Sequence, residues 1–84
     1  MGVSAQVSVY PLGQSDLTPA IDAAWKAFES RGVTYEAGRM STTLEGDEGE
    51  VFEALREAFV AASAEGGTVM VVTVSNCCPP RRPK

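Results

Sequence analysis

Three features of this 84-residue chain predict an α+β sandwich in which a four-stranded antiparallel sheet carries two helices on one face. They are runs with strand patterning, two stripes of helical period, and the order βαββαβ in which these follow one another. Residues 4–11 alternate Ser4, Gln6, Ser8 and Tyr10 on one side with Ala5, Val7 and Val9 on the other, the period of a half-buried strand. Pro11, Leu12 and Gly13 end it. Thr18 followed by Pro19 is a helix start, and Leu17, Ile21, Ala24, Trp25 and Phe28 then recur at helical spacing until Gly32. Residues 33–37 and 40–45 are β-prone runs on either side of Gly38 and Arg39, which predicts a hairpin. Asp47 with Glu50 three positions on starts the second helix, whose expected stripe is Val51, Phe52, Leu55, Ala58, Phe59 and Ala62, closed by Gly66 and Gly67. Residues 68–75 form a continuous β-branched run that reads as a strand covered on both faces.

Two βαβ units with right-handed crossovers and a shared hairpin give the ferredoxin-like sandwich, with the first and third strands central. If Ala5, Val7 and Val9 face the helices, Gln6 and Ser8 project to the helix-free side. By the same alternation Met40 and Leu44 point inward, and Ser41, Thr43 and Glu45 outward. The chain has no internal repeat and no linker, so residues 1–78 are expected to form one domain and residues 79–84, Pro- and Arg-rich, a disordered basic tail.

Composition narrows the function. Apolar residues make up 44% of the chain and charged residues 21%, the balance of a folded globular protein rather than a disordered one. No apolar run approaches the roughly 18–20 residues of a membrane span, and no signal-like segment opens the chain, so a cytoplasmic location is expected. Setting aside Arg81, Arg82 and Lys84 leaves four basic residues against eleven acidic ones, a body charge of −7. Such a surface repels phosphate backbones, which argues against nucleic acid, and favours a cationic small molecule. The chain contains no histidine, which removes Ser-His-Asp triads, Cys-His dyads and His-based zinc sites. Cys77 and Cys78 are adjacent, too strained to bridge each other and too few to make a metal site alone. No pair of carboxylates stands out as a general acid and base, so neither catalysis nor a cofactor is expected.

The open sheet face is the candidate site. It presents Gln6, Ser8, Ser41 and Thr43 near its middle and Glu45 towards one end, an amide and hydroxyls that need partners wherever water is excluded. Those partners are a ligand in one reading; in the other the residues are solvated or bond to each other across a subunit interface. An aminopyrimidine edge, with an NH2 donor beside ring-nitrogen acceptors, matches this set, and Glu45 would pair with a cationic ring unless it serves only the turn at Gly46. Tyr35 is either a pocket wall or a core residue with a bonded hydroxyl. Tyr10 could stack on a flat ring, whereas Trp25, on the apolar stripe, is expected in the core.

The hairpin Tyr35-Glu36-Ala37-Gly38-Arg39-Met40-Ser41-Thr42-Thr43-Leu44-Glu45-Gly46 resembles that of the YkoF-like thiamine-binding proteins, which carry a Tyr-Glu-x-Gly step and then a Thr-Thr-x-Glu-Gly-like stretch. The exit of the first strand, Val9-Tyr10-Pro11-Leu12-Gly13, is similar to theirs as well, and the likeness spans roughly residues 4–75. The resemblance implies a ferredoxin-like subunit that pairs through its sheets as a homodimer or homotetramer. It also implies binding of thiamine or its hydroxymethylpyrimidine portion without catalysis; together with the strand alternation, the expected place is the open face at a subunit interface, through Gln6, Ser8, Tyr35, Ser41, Thr43 and Glu45. After Ser75 the sequence departs from the family pattern, which leaves open any contact that relatives make there. The alternative function is an oligomerisation module of the same fold without a small-molecule ligand.

Overall fold

The computed structural model describes residues 1–13, 16–38 and 41–77. Four strands and two helices follow one another as β1 (Gly2–Leu12), α1 (Thr18–Ser30), β2 (Thr34–Ala37), β3 (Thr42–Asp47), α2 (Glu48–Ser63) and β4 (Gly67–Ser75). The strands form one antiparallel sheet in the order β2-β3-β1-β4, the ferredoxin-like arrangement, with β1 and β3 central as the sequence predicts. Met40, expected at the start of β3, and the expected basic tail lie outside the described residues.

The register fixes the faces. Ala5 stands opposite Leu44, and Val7 opposite Thr42 and Val72; these positions and Val3 point at the helices, and all but the partly buried Val72 are buried. Gln6 stands opposite Thr43 and Thr73 on the helix-free face. The hairpin closes through the Gly38 N–H, which donates to the Ser41 carbonyl at 2.8 Å. A Cβ on Gly38 would lie only 2.9 Å from that same carbonyl oxygen, so the close approach requires glycine. At the start of α2 the Asp47 side chain accepts from the Gly49 N–H, the cap that the sequence predicts. At the start of α1 the N-cap is Leu17, with no side-chain cap, and Asp16 just before it accepts from the Thr18 N–H at 3.0 Å. Thr18 thereby becomes the first residue of the helix.

Both helices are rotated relative to their expected stripes. The buried side of α1 is Ala20, Ala24, Ala27 and Phe28, and that of α2 is Val51, Ala54, Leu55, Ala58 and Ala62. Trp25, Phe52 and Phe59, expected in the core, are exposed on the flanks. Small residues on the facing sides let the two helices approach closely, and the large rings are left outside. β4 also departs from expectation, because in a single copy it is covered on one face only: Met70 and Val72 pack on the core while Val69 and Val71 are exposed.

Arg31, which caps the C-terminal end of α1, ties that helix to α2. Its guanidinium donates to the Glu57 carboxylate through both Nε and a terminal nitrogen, with Glu53 at 3.7 Å and Glu50 at 4.0 Å. These donors hold the Glu57 carboxyl below its ordinary 4.5. A carboxylate held low in the folded state contributes stability above its unfolded pKa and loses it as pH falls through the folded value. The thermal midpoint should therefore drop as pH falls below about 4.5. Arg31→Gln should melt lower than the parent at pH 7 and converge on it near pH 3; a constant gap between the two melting curves would deny the ion pair this role.

Candidate functional site

β1 outruns β3. It pairs with β3 only from Gly2 to Val7 but with β4 from Ser4 to Leu12, so beyond Val7 no described strand lies on its β3 side. α1 spans the gap, and the hairpin end closes it. The result is a hollow of about 190 Å³ lined by Ile21, Ala24, Trp25 and Phe28 from α1, Val7, Ser8 and Val9 from β1, and Gly38, Ser41 and Thr42 from the hairpin. Mostly apolar walls with a few polar residues are the usual make-up of a small-molecule site. The indole of Trp25, 38% exposed, forms part of the wall.

A second hollow of about 210 Å³ lies on the β2–β3 side, lined by Thr34, Tyr35, Glu36, Thr43 and Glu45. The six residues expected to form one site are thus divided. Ser8 and Ser41 line the first hollow, while Tyr35, Thr43 and Glu45 line the second. Gln6 stands between the groups, donating from Nε2 to the Ser41 hydroxyl oxygen at 3.1 Å. This bond meets part of the hydrogen-bonding demand that made the open face a ligand candidate. A serine hydroxyl that accepts from Gln6 keeps its own proton to donate.

Tyr35 stands apart from the open-face set. Opposite Leu44 in the register, it turns its ring to the helix side, 6.2 Å from the Phe28 ring centroid and tilted by 48°. Its hydroxyl donates to the Glu29 carboxylate at 2.7 Å, and that acceptor holds the phenol above its usual pKa. The ring is partly buried against the core with a bonded hydroxyl, and the residue also borders the second hollow.

Of the residues that line the first hollow, only Ser8 and Ser41 are among those the sequence points to, and Thr42 and Trp25 are the most informative of the others. Thr42 was expected to point at the helices, and it does, but at the end of β3 that direction leads into the hollow. A stripe that includes every large apolar side chain puts Trp25 in the core, whereas the residue is exposed beside the hollow. The signal that could have found it is the set of alanines at positions 20, 24 and 27, which marks the side of close helix packing. Cys77 is exposed and its neighbour Cys78 lies outside the described residues. No helix among the described residues is long and apolar enough to cross a membrane.

The fold and the half-apolar hollow define a ferredoxin-like α+β domain of small size. The profile of the YKOF-related family matches residues 2–81, and the chain belongs to that family. Solved structures share the architecture. A hypothetical protein of Methanocaldococcus jannascii superposes with a TM-score of 0.84 at 26% identity, over 95% of this chain and 84% of that one. A protein of Streptococcus pneumoniae gives 0.81 at 27% identity, over 89% and 86%. A candidate thiamine biosynthesis/salvage protein of Thermotoga maritima gives 0.76 at 25% identity, over 88% and 82%. No curated protein matches the chain.

Proposed function

We propose that the protein binds thiamine or its hydroxymethylpyrimidine portion without catalysing a reaction on it, and that the ring enters the hollow between α1 and the hairpin. The observation that carries this reading is the lining itself: Trp25 and Phe28 on one side, and the polar residues Ser8, Ser41 and Thr42 on the other. A flat heterocycle stacks on the first and bonds to the second. Family membership and the Thermotoga maritima relative support the choice of ligand class. The acidic body suits the thiazolium charge of thiamine, which would remain towards solvent.

The chain has one tryptophan, and it lines the hollow, so ligand entry has a built-in reporter. Titration with thiamine, hydroxymethylpyrimidine and the isolated thiazole, followed by calorimetry and by Trp25 emission, tests the proposal. Heat and a change in emission are expected with the two pyrimidine-bearing compounds and neither with the thiazole. Heat without a change in emission would move the ligand to the open sheet face. Silence in both signals would leave the oligomerisation module as the better description, a reading that the Gln6–Ser41 bond favours.

A further inference from the structure

Among the described residues that line the hollow beneath α1, three are hydroxyl-bearing: Ser8, Ser41 and Thr42. Two of them are already engaged. The Ser41 hydroxyl accepts from Gln6, a residue of the helix-free face, and Ser8 has a partner as well. Thr42 is different. It stands opposite Val7 on the side that faces the helices and is only 8% exposed, the one polar residue in the buried set of the described chain. Its hydroxyl makes no hydrogen bond with any described residue.

Polar groups in buried positions are nearly always paired, so an exception calls for a reason. Among the described residues, no side-chain oxygen or nitrogen that is sealed from the surface lacks a partner. The unbonded Thr42 oxygen is therefore not sealed. It opens onto space, and the space that this residue lines is the hollow, whose other walls include Val7, Ile21, Ala24 and Phe28. A lone hydroxyl in an otherwise apolar recess fixes the orientation of whatever enters. An entering ligand takes the place of water at that hydroxyl and must offer it a partner in turn.

We infer that Thr42 is the specificity-determining residue of this hollow: its hydroxyl admits a six-membered ring with a hydrogen-bonding edge and rejects an apolar ring of the same size. The inference rests on the reading of the hollow as the ligand site. An apolar cavity of about 150 Å³ is enough to hold benzene, so at about 190 Å³ shape alone would let either ring in. Chemistry decides between them. A threonine hydroxyl both donates and accepts, so it serves the ring nitrogen or the amino group of an aminopyrimidine. Beside toluene it would lose water and gain no partner, and a site with such a group rejects the ligand that leaves it unmet. The strand itself needs only the β-branched shape, which valine supplies equally well.

Thr42→Val and Thr42→Ser in the full chain test it through three measurements. The first needs no ligand: valine removes a buried hydroxyl that no described residue satisfies, so the thermal midpoint should hold or rise by about 2–5 °C. A fall of more than about 3 °C would show that the fold itself uses the hydroxyl and would overturn the inference. The second is calorimetric titration with hydroxymethylpyrimidine, expected to bind Thr42→Val about 10- to 100-fold more weakly than the parent and Thr42→Ser within about five-fold of it. Undiminished binding by the valine variant would equally overturn it. The third is titration with toluene followed by Trp25 emission, in which Thr42→Val should bind at least about 10-fold more tightly than the parent. A purely structural threonine would produce no such gain, and its absence would refute selection by polarity. If the parent binds no pyrimidine, the thiamine reading falls alone, and the melting and toluene results still decide the role of Thr42.

Discussion

Phe28→Ala is expected to unfold a large fraction of the molecules at physiological temperature. The ring is fully buried where α1 meets the sheet, belongs to the central cluster with Val7, Leu44 and Val51, and packs against Tyr35. Truncating such a ring costs about 3–5 kcal/mol, part for the lost burial and part for the cavity left behind. A domain of this length has roughly 4–13 kcal/mol in all. Much of its core is alanine, at positions 5, 20, 24, 27, 54, 58 and 62, so few neighbouring side chains can swing in to fill the void. The thermal midpoint should fall by on the order of 15–30 °C. Phe28→Leu, which keeps most of the volume, should lose less than half of that. A loss below about 5 °C for the alanine variant would mean that the sheet and α2 hold together without this ring.

Faces and the order of elements were legible because the alternation and the caps that mark them are signals of short range, whereas β3 begins and ends two residues later than the expected 40–45. The alternation of β1 separates Ala5 and Val7 from Gln6, and the register places both as that alternation requires. The Asp47 cap and the Gly38 turn are likewise local chemistry. Helix rotation was not legible. An apolar stripe weighted by side-chain size points to Trp25, Phe52 and Phe59, whereas the distance between α1 and α2 is set by what fits between them, and that is alanine. The same gap explains the candidate site. Sequence alternation places Ser8 and Ser41 on one face, but the offset by which β1 overruns β3 is a tertiary feature, and it is this offset that opens a hollow beside them under α1. A ring displaced from the core, Trp25, is also where the proposed function lies.

Trp25→Ala should then weaken binding of pyrimidine-bearing ligands by about 10- to 100-fold, the loss typical of an aromatic anchor at the centre of a site. The indole is more than a third exposed, so the fold should tolerate the change far better than it tolerates Phe28→Ala. Trp25→Phe retains a flat ring for stacking and should bind within a few-fold of the parent, which separates loss of the aromatic surface from loss of general packing. The companion variant is Thr43→Val. Thr43 lies opposite Gln6 on the open face and lines only the second hollow, so with the ligand beneath α1 its hydroxyl is not needed and binding should be unchanged. A ligand on the open face reverses the pair: Thr43→Val would then leave a polar group of the ligand without its partner, at a cost of about 1–3 kcal/mol or roughly five- to 150-fold in affinity, while Trp25→Ala would do little. Valine keeps the β-branched shape that suits β3, so stability should not confuse the comparison. Calorimetric titration of both variants with hydroxymethylpyrimidine therefore assigns the ring to one side of the sheet or the other, and equal, undiminished binding by both would exclude the two sites together.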